Sequence, residues 1–168
     1  VDHGVLLATY THHTAGFMTN RALEQILNDP RNKKEDGSLW SWGMASINFD
    51  DFTEGDNTHR RLDVLASYFV QRPDLFIGIK LAHAHQRVAF DDGRYLGVYD
   101  VAATHGVPVL LHTGATPFPG ACNEPEYYDP AELESVINAY TGENGNGRVE
   151  FVLSHVGGVD QRATDHAL

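Results

Sequence analysis

One cysteine, Cys122, in 168 residues leaves no disulfide framework to build, and that usage leans toward a reducing, cytoplasmic compartment. No apolar run reaches membrane-spanning length and no charged-then-apolar leader opens the chain, so neither a bilayer span nor a secretory signal is expected. Basic residues are scarce, with 12 Lys plus Arg against 23 Asp plus Glu, for a net charge of -11. Such a surface offers no positive face to a phosphate backbone or an anionic lipid headgroup, which excludes nucleic acid and membrane as partners. No Gly-x-Ser-x-Gly elbow, Walker-type loop or dinucleotide fingerprint occurs, and no hairpin signal or internal repeat is read. Cys122 has no patterned base beside it, so a thiol nucleophile is not expected.

What is present is a globular composition, 42% apolar and 21% charged. Five apolar strand-like runs alternate with helical patterns. The strands are expected at Gly4 to Thr11, Trp42 to Phe49, Leu75 to Leu81, within Gly106 to Gly114 with His112 as last strand residue, and Val149 to His155. Between them, helices are expected at Thr19 to Asn28 (Leu23, Ile26 and Leu27 inward), at Asn57 to Gln71 (Leu62, Leu65, Ala66, Phe69) and at Arg94 to His105 (Tyr95, Val98, Tyr99, Ala102). A further helix follows Asp129-Pro130-Ala131-Glu132, where Asp serves as N-cap and Pro as first residue. A final one is expected near Val159.

Strict alternation with crossover helices predicts an α/β fold with a parallel sheet. Five units could form a complete flavodoxin-like sheet or an arc of a (β/α)8 barrel, and histidines at the strand ends favour the arc. A closed barrel of that kind needs about 250 residues. The chain opens at Val1 and stops at Leu168 within an expected helix, so a segment of a longer protein is the expectation.

In parallel α/β folds, function collects at the carboxyl ends of the strands. His12 and His13, Lys80, His112 and His155 all fall there. The strands ending in His112-Thr113-Gly114 and His155-Val156-Gly157-Gly158 form a matched pair. Neighbouring strands lie about 4.8 Å apart, so two such imidazoles can converge on one ion. Two histidines do not complete a catalytic metal site, and ordinary rim histidines would produce the same pattern. Alternation along the third strand puts Phe76, Gly78 and Lys80 on the barrel-interior face, where a lysine would be desolvated. The His83-x-His85 pair is expected in the following loop and, with Phe118 of the long Ala115 to Tyr128 segment, forms the candidate substrate pocket.

Ile77-Gly78-Ile79-Lys80-Leu81, Thr104-His105-Gly106-Val107-Pro108-Val109-Leu110-Leu111-His112-Thr113-Gly114 and Phe151-Val152-Leu153-Ser154-His155-Val156-Gly157-Gly158 together resemble the amidohydrolase superfamily. The similarity is to its amidohydrolase-2 branch of metal-dependent hydrolases and aminocarboxymuconate-semialdehyde decarboxylase-like enzymes. The resemblance implies a (β/α)8 barrel, of which this chain would hold the second to sixth strands as one domain, 1–168. It implies a divalent metal, most often zinc, with manganese or iron as alternatives. His112 would then be a metal ligand and His155 a metal ligand or catalytic group, while Lys80 would be catalytic or bridging. The family's first-strand His-x-His and eighth-strand Asp have no counterpart here. The expected activity is hydrolysis of a C–N or C–O bond of a small molecule, with non-oxidative decarboxylation as alternative and a homo-oligomer as the expected assembly. A non-catalytic ligand-binding α/β domain is the reading from another class.

Overall fold

In the computed structural model, residues 2–51, 57–141 and 148–155 are described. The strands are β1 (Gly4–Leu7), β2 (Thr9–Thr11), β3 (Gly16–Met18), β4 (Ser41–Ala45), β5 (Phe76–Leu81), β6 (Val109–His112) and β7 (Phe151–Ser154). The α-helices are α1 (Asn20–Leu27), α2 (Asn57–Gln71), α3 (His83–Gln86), α4 (Gly97–His105) and α5 (Glu134–Thr141). Strands β1, β4, β5, β6 and β7 pair in that order, each parallel to the next, in one sheet curled into a half-barrel.

Spatial order equal to chain order answers one of the two sequence expectations. A flavodoxin-like sheet reverses direction at a switch point, whereas this sheet advances one neighbour at a time. Helices therefore cover a single face. Val109 and Leu111 of β6 and Ile79 and Leu81 of β5 are fully buried on that face. There Phe76 meets Tyr68 of α2, and Phe151 meets Tyr99 of α4, which in turn meets Tyr140 of α5. The other face carries Lys80, Leu110, His112, Val152 and Ser154. Register supports this division, since Lys80 lies beside Leu110, Leu110 beside Val152, and His112 beside Ser154. On that concave side Val5 and Val152 stand exposed, while a register shift between β4 and β5 at Gly43 and Met44 turns Phe76, expected on this face beside Lys80, toward the helices.

Helix α2 matches its expected bounds, with Leu65 and Phe69 buried. Thr19 caps α1, its side chain accepting from the Ala22 amide at 3.1 Å. Leu23 and Leu27 are buried as expected, but Ile26 is 45% exposed, because it faces the open groove beside Leu6 of β1. Asp129 does cap its helix, though through a 3-10 turn, Pro130–Leu133, that precedes α5.

Two further expectations change. The run from Gly4 to Thr11 is two strands: after Ala8, whose amide bonds the Met44 carbonyl at 2.9 Å, the chain leaves the main sheet. Strand β2 then pairs antiparallel with β3, a hairpin where none was expected. Its loop closes on Thr11, whose carbonyl accepts from Thr14 and Ala15, and Gly16 supplies the positive φ of 98°. The His83-x-His85 segment is not a loop but the single-turn helix α3, ended by Arg87 in the left-handed region. The expected turn at 142–147, the residues Val156-Gly157-Gly158 and the helix near Val159 lie outside the described residues.

Candidate functional site

The carboxyl ends of β5, β6 and β7 bring four basic side chains together. Lys80 points from β5 into the concave face and is only 7% exposed. Its ammonium has the Ser154 Oγ at 3.5 Å, and no carboxylate is paired with it among the described residues. Ser154 donates its own proton to the Leu111 carbonyl at 2.7 Å, so toward Lys80 it acts as acceptor. Burial pulls the Lys80 pKa down to about 8, which leaves a sizeable neutral fraction at mildly alkaline pH.

His112 ends β6 one step above. Its ring centroid lies 4.8 Å from that of His85 and 4.6 Å from that of His155. Loss of hydration, reinforced by the charges of Lys80, His85 and His155, lowers the His112 pKa to about 3. The imidazole is therefore neutral at every physiological pH. Among the described residues neither of its ring nitrogens has a hydrogen-bond partner, so its lone pair is not committed to holding the fold.

His85 reaches the cluster from α3 and is 5% exposed. Its Nδ1 lies 2.7 Å from Thr14 Oγ1, and the hydroxyl has the Thr11 carbonyl at 3.0 Å as acceptor for its only proton. That assigns the proton to His85 Nδ1 and leaves Nε2 bare. Burial, then the charge of Lys80, lowers the His85 pKa as well. His155 stands exposed just past β7, with a φ of +69°. The left-handed region costs a residue other than glycine roughly 1 kcal/mol or more, so its backbone is held there by the surrounding structure.

The long loop after β6 forms one wall. Arg87 donates from Nε and Nη2 to the Gly120 carbonyl at 3.0 and 2.9 Å. The Cys122 amide bonds the Ala84 carbonyl, and Thr116 and Asn123 pair reciprocally. So anchored, the loop presents Phe118, 49% exposed, with its ring 5.9 Å from His85. Phe118, His85, His112, His155 and Lys80 are thus neighbours. His83 is not among them. At 1% exposure its ring is caged by Phe49 and Phe90, with Nδ1 3.0 Å from the Val88 carbonyl and Nε2 3.3 Å from the Tyr99 hydroxyl.

Three partners here were not singled out from the sequence: Thr14, Ser154 and Asp50. Asp50 sits in the 3-10 turn Phe49–Asp51 after β4, and its Oδ2 meets Nε2 of His12 at 2.5 Å and of His13 at 3.0 Å. A usable signal existed for Asp50, because it closes the run after β4 just as His112 and His155 close theirs. Thr14 and Ser154 carry no such mark.

No helix among the described residues is long and apolar enough to cross a membrane. Compared with protein-family models, with curated proteins and with solved structures, the chain gave no significant match to any of them.

Proposed function

We propose that the chain is the central part of a metal-dependent hydrolase of the amidohydrolase type, its five parallel strands being the second to sixth of a (β/α)8 barrel. The observation that carries this is the meeting of three histidine rings, 4.6 and 4.8 Å apart in succession, beside a buried lysine at the carboxyl ends of three adjacent strands. The donor set fits a zinc-like ion in kind. His112 is neutral and without a hydrogen-bond partner among the described residues, and His85 carries a bare Nε2.

His112 and His155 would hold the ion, which when bound supplies Lewis acidity toward a carbonyl and lowers the pKa of water. Manganese and iron suit the same ligands. Lys80, still largely protonated at pH 7, would offset negative charge that develops on the substrate. Where His155, exposed at the rim, is not itself a ligand, it would instead pass a proton to or from the reacting group. His85 and Phe118 would line the substrate pocket.

Non-oxidative decarboxylation of a small carboxylic acid is the second reading. It draws on the same cluster, which holds Lys80 and three histidines but no acidic side chain among the described residues. A substrate carboxylate would supply the missing negative charge.

Elemental analysis of the purified intact protein tests the proposal. Zinc, manganese or iron is expected, with one equivalent fewer in His112→Ala than in the parent, together with turnover in a screen of amide, ester and carboxylic acid substrates. Full metal content in His112→Ala, with an unchanged circular dichroism spectrum, would refute the assignment of the ligand.

A further inference from the structure

Beside the histidine cluster, and in touch with it through the Thr14 to His85 contact, the loop of the β2–β3 hairpin and the end of β4 build a second group of ligating atoms. In an extended chain adjacent side chains point to opposite faces. His12 and His13 lie in the hairpin turn instead, so both rings face the same way, with centroids 4.3 Å apart. Both Nε2 atoms aim at one oxygen of Asp50. Asp50 is positioned by its own backbone, whose amide donates to Asn48 Oδ1 at 3.3 Å. One ligating atom from each of the three residues lies within 4.8 Å of the others, and no second group of that size is found among the described residues.

We propose that His12, His13 and Asp50 form a binding site for a divalent transition ion of the zinc or cobalt class, distinct from the ion assigned to His112 and His155. Tetrahedral bonds of about 2.0–2.1 Å put ligand atoms about 3.3 Å apart. The observed 2.5 and 3.0 Å separations are shorter than that, so an ion would take the place of the Asp50 oxygen at which both rings aim, with the carboxylate drawing back to ligate it. Shifting the ring protons to Nδ1 on both histidines frees the two Nε2 lone pairs. Two imidazoles and one carboxylate satisfy three positions, which is the pattern of a site that keeps one open rather than a closed structural one.

The fourth position has somewhere to lead. Tyr10 of β2 is directly opposite Phe17 on β3, and His12 follows in the turn. Together with Asn48 these residues line a cavity of about 320 Å³. Phe17, 66% exposed, gives that cavity an aromatic wall that the hairpin's own packing does not use.

The test is titration of Co2+, and separately Zn2+, into the chain carrying His112→Ala, which removes the other ion site. Visible ligand-field absorption reports cobalt in a nitrogen and oxygen environment, and calorimetry reports stoichiometry. One equivalent is expected to bind. Asp50→Asn and His13→Gln should each weaken it beyond the about 10–100-fold that changes outside the ligand shell cost. All three side chains are at the surface, so circular dichroism should stay unchanged. His12→Gln is the check if either variant unfolds. Absence of binding in the His112→Ala chain overturns the proposal. So does binding that survives both Asp50→Asn and His13→Gln. Metal bound by the wild-type chain and lost on His112→Ala alone would uphold the cluster on β6 and β7 while refuting this one.

Discussion

Replacing Lys80 with methionine should make the protein more stable while removing a group the proposed chemistry needs. Lys80 is 7% exposed, has a hydroxyl 3.5 Å away as its polar contact, and has no carboxylate paired with it among the described residues. Desolvation lowers its pKa from 10.5 to about 8. At about 1.4 kcal/mol per pH unit, that displacement corresponds to about 3 kcal/mol against the charged form in the folded state. The sign follows from proton counts. Between pH 8 and 10.5 the unfolded chain binds a proton at this lysine and the folded chain does not, so stability rises with pH across that window. Below pH 8 both states are protonated, and the full penalty persists at pH 7. Methionine, of similar length and without charge, removes the penalty, for an expected gain of up to about 3 kcal/mol at pH 7. Urea denaturation of the chelator-treated protein and of Lys80→Met, at pH 7 and near pH 10.5, measures it. The variant should lead at pH 7 and the two should converge at the higher pH, with turnover lost in the variant. A variant less stable than the parent by the same amount at both pH values would refute the reasoning, because a difference independent of pH would mean that the ammonium carries no desolvation penalty in the fold.

His83 should make the fold acid-sensitive. Burial, before any neighbouring charge, lowers its pKa from 6.5 to about 4, so stability is complete above pH 6.5 and falls by about 3 kcal/mol as pH drops to 4. His83→Gln should flatten that slope in denaturant titrations. Gly78→Ala would push a methyl group into Met44 and to 2.9 Å from the Pro108 carbonyl, an overpacking expected to cost roughly 1–3 kcal/mol in thermal or urea melts. Thr19→Ala removes the acceptor for the Ala22 amide and should cost about 1 kcal/mol by the same measurement.

How far the sequence could be read depended on whether the deciding contact was local. The Leu62, Leu65, Ala66 and Phe69 stripe and the Pro73 stop delimit α2 within one window, and the helix ends at Gln71. Parallel pairing was legible because crossover helices leave few other arrangements. Strand order separated an arc from a doubly wound sheet, and order is set by tertiary packing, not by any one segment. Gly4 to Thr11 looked continuous because β propensity records how a residue suits a pleated surface and not which partner it has. Only the Ala8 to Met44 bond marks where one sheet is left for another. His83-Ala84-His85-Gln86 is too short to show a helical period. The spacing of the two strand-end histidines was visible, whereas the approach of Asp50 to His12, 38 residues away, belongs to the fold alone.

Each interior strand of the main sheet is bonded to the strand that precedes it and the one that follows it in the sheet's run along the chain. Assembly can therefore proceed outward from β5, one βα unit at a time, with every new strand finding its partner already formed. Loop closure is then a series of similar, moderate entropic steps, with no single long one. In kinetic terms, damage to an edge strand such as β1 should speed unfolding and leave the folding rate nearly unchanged, whereas damage at β5 should slow folding itself.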